Sequence, residues 1–442
     1  MTTLFTNGNL VDVIGQTVLT GGSILVENGM IKEVGTSIAV PNGAKVVDLG
    51  GRTVLPGLFN CHVHMCSDAG TGAKETISDA AVTIRALKNL KTLLNSGVTY
   101  IRDAGAPKYI DVDLHDAQLK GEILAPEMQT ACRCICMTGG HGHDSGREAD
   151  GPDDCRRAAR EQLKAGANWI KVMATGGVMT KGVEPGSPQL TEEELRAAIE
   201  EAHKAGAKTF THAQGMEGIK NALRAGVDSI EHGFFMDDWC FDFMKEHNVF
   251  FVPTLAAPYW IKKYGTDAGI PDYMVKKVEK TIDAHQDTFR RAHKAGVKIA
   301  LGTDAGTPFN KYDMTGFECI LMVENGMTPM EAIQCGTINA AELMDVKDTH
   351  GSITPGKKAN FAVFEKSPLE DIHAILDCSM TVLGGEVVFE NNMAAKEMCI
   401  QNPIVKGQYG EATNPIFEVF YLKDAHAVIA DFSGNPPQEY SL

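Results

Sequence analysis

No apolar run in the 442 residues approaches the ~20 needed to cross a bilayer, so no membrane span is expected. Basic residues are in short supply: 41 Lys and Arg stand against 57 Asp and Glu, for a net charge of −16. That balance argues against nucleic-acid phosphates and anionic membrane surfaces as partners. The opening Met1-Thr-Thr-Leu-Phe5 has neither a charged leader nor a long apolar segment, so no signal peptide is read there. Eleven cysteines are an odd count in such a chain. They read as reduced thiols in a cytoplasmic protein rather than as a disulfide framework.

A hydrophobic content of 43% is enough for a large core. Residues 1–54 read as short strands joined by Glu-Asn-Gly and Pro-Asn-Gly turns, too thin in apolar residues to stand alone. Similar strands recur at 360–364 and 380–389, which predicts one small β-sandwich built from both ends of the chain. Between them a pattern repeats. A helix ending in a short Ala/Ser-Gly step leads into an apolar strand, with the glycine at 97, 166, 206, 226 and 296. Thr191-Glu-Glu-Glu194 is a capping box that opens one of the helices. Strands are predicted at 55–64, 98–103, 128–137, 169–174, 208–212, 229–232, 249–254 and 298–304. Eight strands alternating with helices match a (β/α)8 TIM barrel, with an open doubly wound sheet as the rival. The domain reading is 1–54 and 346–390 for the sandwich, 55–345 for the barrel and 391–442 for a C-terminal extension.

The chemistry gathers at strand ends. Pro56-Gly-Leu-Phe-Asn-Cys-His62-Val-His64 closes an apolar strand with two histidines at i, i+2, on one face of the strand. Counting from the repeat glycines, Lys171 follows by five residues, His212 and His232 by six and Asp304 by eight. Each falls near the C-terminal end of its strand, where barrel enzymes build their sites. Taken singly, His212 or His232 reads as a hydrogen-bonded core histidine and Asp304 as a turn cap. Lys171, inside Trp169-Ile-Lys-Val-Met173, is harder to dismiss, because a buried Lys needs a partner. Cys132, Cys134 and Cys136 alternate along the third predicted strand and read as small core side chains, with a thiolate metal site as the alternative.

These residues, with Thr211-His-Ala-Gln-Gly215, Ser229-Ile-Glu-His-Gly233, Leu301-Gly-Thr-Asp-Ala-Gly306 and the stretch from Gly351 to Phe364, resemble the amidohydrolase superfamily. The likeness is to its binuclear branch of prolidase-like and Xaa-Arg/Lys dipeptidases and imidazolonepropionase-like proteins, and it covers residues 3–390. The resemblance implies two divalent metal ions, zinc above all. His62, His64 and Asp304 would hold one ion, and His212 and His232 the other. Lys171, carboxylated by carbon dioxide to a carbamate, would be shared between them. It further implies a metal-bridging hydroxide as nucleophile, with Asp304 taking its proton and passing it to the leaving amine.

The implied substrate is a small-molecule amide: an Xaa-Pro or Xaa-Arg/Lys dipeptide, or an N-acyl amino acid. A cyclic amide is the in-class alternative, and a non-catalytic oligomeric scaffold the out-of-class one. The Gly-rich loop after strand three carries His141 and His143, which the resemblance assigns to the substrate carbonyl or carboxylate. Residues 180–188 read as a lid, 258–260 and 310–312 as walls, and His203 and His293 as structural helix-end residues. The tail segments 414–421 and 425–431 are strand-like and apolar, which suggests a homo-oligomer contact.

Overall fold

A computed structural model describes residues 2–73, 77–391, 393–414, 426–429 and 438–441. It divides into two units, Met1–Phe389 and Glu390–Leu442. The smaller unit holds the helices Met393–Cys399 and Pro403–Tyr409 and an antiparallel pair of strands, His426–Ile429 with Gln438–Ser441. The apolar segment 415–421 lies outside the described residues. Among the described residues no helix is long and apolar enough to cross a membrane.

The larger unit is an α/β fold with parallel and mixed sheets. The glycine-ended repeats fold as local chemistry dictates. Helices Asp79–Asn95, Pro152–Ala165, Glu192–Lys204, Met216–Ala225 and Asp272–Ala295 each run into one of the five repeat glycines. All five glycines take left-handed φ values, between 76° at Gly206 and 108° at Gly166. A side chain would be strained there, so each helix stops at that point and the chain turns into a strand. Thr191 and Glu194 form both bonds of the capping box.

Leu58–Val63, Val98–Asp103 and Glu127–Gln129 pair in parallel. So do Ile135–Cys136, Trp169–Met173, Lys208–Ala213, Ser229–His232 and Phe250–Val252. Backbone bonds stitch these groups together. The amides of Asn168 and Trp169 donate to Thr130 O at 2.9 and 3.1 Å, and residues 298–305 lie between Phe251 and the His62 strand. There Ala300 N donates to Phe251 O at 3.0 Å and Cys61 N to Leu301 O at 2.8 Å. The approach is close enough to require Gly302: a Cβ on it would come within 2.4 Å of Val252 Cγ1 and 2.8 Å of His62 Cβ.

The third predicted strand is not continuous. It breaks between Gln129 and Ile135, where Cys132 takes φ 59° and its amide donates to the buried Asp111 carboxylate at 2.8 Å. A left-handed residue ends the alternation of side chains, so the three cysteines do not share a face. Cys134 and Cys136 pack with Met173, while Cys132 Sγ turns to Gln162 O at 3.8 Å. All three are buried free thiols.

The two ends of the larger unit meet in one mixed sheet. Thr53–Pro56 pairs in parallel with Thr2–Asp12 on one side and antiparallel with Phe361–Phe364 on the other. The inner face of this sheet is packed with Phe5, Ile24, Val54, Phe361, Val363 and Met380, all essentially inaccessible.

Candidate metal centre

The strand ends converge. The six expected metal ligands, together with His141 and His143, line one cavity of about 540 Å³. His62, His232 and Asp304 bring one ligand atom each to within 4.8 Å of one another. Asp304 Oδ1 lies 3.1 Å from His64 Nε2 and 3.4 Å from His62 Nε2. The His212 and His232 rings are 4.5 Å apart, and His62 and His232 5.0 Å apart, centre to centre.

Hydrogen bonds on the far side of each ring fix which nitrogen is free. His62 Nδ1 faces Glu231 Oε2 at 2.6 Å, so it carries the proton and Nε2 keeps its lone pair. His212 Nε2 donates to Gly176 O at 3.1 Å, which frees Nδ1. His232 Nδ1 donates to Thr254 Oγ1 at 2.7 Å, because the Thr254 hydroxyl proton is spent on Pro253 O, also at 2.7 Å. Burial pushes the pKa values of His62, His212 and His232 well below the usual imidazole range, so these rings are neutral donors of lone pairs. Burial alone would raise Asp304, but His62 and His64 hold it down to about 2.

Lys171 Nζ is buried at the centre and finds no hydrogen-bond partner among the described residues. It lies over the face of Phe210, 4.5 Å from the ring centre. Loss of hydration lowers its pKa to about 8. An amine so placed is partly neutral near pH 8 and therefore nucleophilic. Backbone strain gathers here too: His232 and Asp304 take φ values of 70° and 61°, in a region that side chains seldom occupy.

The amidohydrolase family model matches residues 53–409. The chain belongs to the amidohydrolase family. It is 31% identical to the ochratoxinase of Aspergillus niger over 357 residues, which cover 72% of this chain and 71% of that protein. It is 23% identical to the imidazolonepropionase of Geobacillus kaustophilus over 421 residues, 84% of this chain and 91% of that one. Among solved structures it resembles a Xaa-Pro dipeptidase with bound methionine in the active site: TM-score 0.82, 33% identity, 88% of this chain and 100% of that one. This amidohydrolase is therefore a hydrolase acting on amide bonds, in a family that generally uses metal ions.

Around the centre, His141 sits with its ring 4.2 Å from that of His212 and its Nδ1 2.9 Å from Thr180 Oγ1. Burial lowers its pKa to about 4. His143 is tied to its own loop through Gly140 O at 2.8 Å and to Asp144 at 3.2 Å. Thr180, Lys181 and Pro258 line the cavity, whereas Trp260 is packed into the core. Tyr312 Oη lies 2.7 Å from His64 O and so braces the strand end from outside. His203 and His293 pair with Asp228 and Glu331 at 2.9 and 3.3 Å, away from the cavity.

Glu231 and Arg102 were not singled out in the sequence. Arg102 is fully buried and reaches Glu231 Oε1 at 2.9 Å. The signal was present: each is a charged residue inside an apolar strand, the same feature that marks Lys171.

Proposed function

We propose that this amidohydrolase is a binuclear metallohydrolase of small-molecule amides, acting on dipeptides or N-acyl amino acids. His62, His64 and Asp304 would hold one divalent ion and His212 and His232 the other, zinc being the best match to imidazole and carboxylate donors. Lys171 would bridge them as a carbamate: its neutral Nζ adds to the carbon of carbon dioxide and loses a proton, leaving an anion. The observation that carries this reading is the Lys171 amine, buried without a hydrogen-bond partner among the described residues, in the cavity that His62, His64, His212 and His232 line. A carbamate satisfies that atom and supplies the negative charge that two cations need. The fold that goes with this reading is a closed (β/α)8 barrel carrying a small β-sandwich, supported by the parallel pairings and by the stitches at Thr130 and 298–305.

The bound ions would supply Lewis acidity to the substrate carbonyl and a water acidic enough to attack it at neutral pH. The chain does the rest. Asp304, ionised and exposed to the cavity, accepts the proton of the attacking water and delivers it to the leaving nitrogen. His62 is held in one orientation by Glu231, and His232 by Thr254, so neither ring turns during the cycle. His141, anchored by Thr180 through Nδ1, offers Nε2 to the substrate carbonyl or carboxylate, with His143 at the rim. A homo-oligomer in the cytoplasm completes the reading, resting on the apolar tail and on cysteines that are free thiols.

Protein expressed with added zinc and bicarbonate should contain close to two metals per chain, and Lys171→Ala well below one. Substoichiometric metal in the parent, unchanged by Lys171→Ala, would sink the binuclear reading. A cyclic-amide hydrolase is the second reading, favoured by the span of the likeness to imidazolonepropionase. It takes over if cyclic amides are opened while no dipeptide or N-acyl amino acid is cleaved.

A further inference from the structure

The cavity has two unlike halves. One holds the imidazoles, Lys171 and Asp304. The other is apolar: Val178, Phe234, Ile261 and Val278 belong to a single buried cluster, and the half-buried Tyr273 packs against it. The two halves adjoin. Phe234 follows His232 by two residues, and Val178 follows Gly177, where a Cβ would strike His141 Nε2 at 2.5 Å.

This apolar wall is held in place. Val178 sits on a loop whose carbonyls are gathered by one buried ammonium. Lys277 Nζ donates to Gly177 O at 3.1 Å, to Thr180 O at 2.7 Å and to Val183 O. Tyr273 Oη adds a bond to Met179 O at 2.9 Å. A preformed apolar surface gains affinity from burying a hydrophobic group without first being ordered.

Counter-charge is missing from this half. Of the residues lining the cavity, the carboxylates are Asp144 and Asp304. Asp304 lies against His62 and His64, and Asp144 is 54% exposed beside His143; neither belongs to the apolar cluster. A Lys or Arg side chain entering the apolar half would lose its hydration and meet no anion.

We infer that the scissile amide carries a bulky aliphatic or aromatic side chain, seated on Val178, Phe234, Ile261, Tyr273 and Val278, and that basic side chains are rejected. The inference rests on the amide-hydrolase reading of the centre and narrows it: at the end of the dipeptide that sits on this wall, Arg and Lys fall away.

Metal-loaded enzyme should be assayed on Ala–X and X–Ala dipeptides with X = Leu, Phe or Lys. In at least one series kcat/KM for Leu and Phe should exceed that for Lys by about tenfold or more. Equal or better cleavage of the Lys peptides in both series overturns the inference while the hydrolase reading stands. Calorimetric binding of N-acetyl-leucine against N-acetyl-lysine reads the same preference without turnover. Selective binding of the leucine compound with no cleavage of any peptide keeps the apolar subsite and removes the dipeptide reading. Val178→Asp should swing the Leu-to-Lys ratio toward Lys by about tenfold, since it supplies the missing anion. Tyr273→Glu places the charge at a half-buried position should the first variant not fold. No swing in the folded variant overturns the assignment of this wall.

Discussion

Arg102 and Glu231 form an ion pair at 2.9 Å in which neither side chain has any exposed surface. Arg102 is further fixed by Cys61 O at 2.7 Å and by the faces of Phe210 and Trp169, 4.0 and 4.6 Å from its guanidinium carbon. The second oxygen of Glu231 holds His62. Glu231→Gln keeps the volume but cannot accept from Arg102 and His62 together without turning its NH2 toward one of them. Metal affinity, read by competition with a chromogenic chelator, should fall about tenfold to a hundredfold. Arg102→Met strands the carboxylate and should lower stability by about 3–5 kcal/mol in urea denaturation.

The proposed carboxylation of Lys171 would make the metal content depend on carbon dioxide. Apoprotein reloaded with zinc in degassed buffer should regain less than half the metal that it takes up with bicarbonate. Carbon-13 bicarbonate should give a carbamate resonance in the parent and none in Lys171→Ala. Equal loading with and without bicarbonate would rule the carbamate out.

Lys277 bonds to loop carbonyls rather than to the proposed ligands and so governs a wall of the cavity. Lys277→Met leaves the carbonyls of Gly177, Thr180 and Val183 without their donor. Thr180 then holds His141 less firmly. KM should rise several-fold with metal content unchanged, and amide exchange should quicken over residues 177–183. A loss of metal instead would show that the loop supports the ligands rather than the substrate.

Glu127 predicts an acid limb. Burial alone would raise its pKa, but bonds from His350, Lys358 and Asn360 carry it down from 4.5 to about 2. The unfolded chain therefore binds a proton before the folded one does. The stabilisation is complete above pH 4.5 and is lost as pH falls through 4.5 toward 2. Glu127→Gln should cost about 1–3 kcal/mol at pH 7 and close to nothing at pH 2, measured by denaturant titration at each pH.

What could be read from the sequence was local or periodic. The glycine-ended helices, the capping box at Thr191 and the paired strand at Phe361–Phe364 each follow from a few consecutive residues. Lys171, His212, His232 and Asp304 could be singled out because each follows a repeat glycine by five to eight residues, and His62 and His64 because they close an apolar strand at i, i+2. The break at Cys132 could not, because a carboxylate 21 residues upstream holds the turn. Nor could the pairing of Glu231 with Arg102 and His62, which join positions 129 and 169 residues apart. The apolar wall escaped for a similar reason: Val178, Phe234 and Val278 come from a loop, a strand end and a helix with no common pattern.

The sheet formed by the two ends of the larger unit sets an order of assembly. His62 and His64 leave the ribosome before the other four proposed ligands, on a strand that runs on from Thr53–Pro56. The antiparallel neighbour of that segment, Phe361–Phe364, is made after all six proposed ligands. A growing chain thus holds the whole ligand set before the sheet edge beside it is covered. That bare edge, rather than the ligand set, is what a chaperone or an aggregating neighbour meets during synthesis.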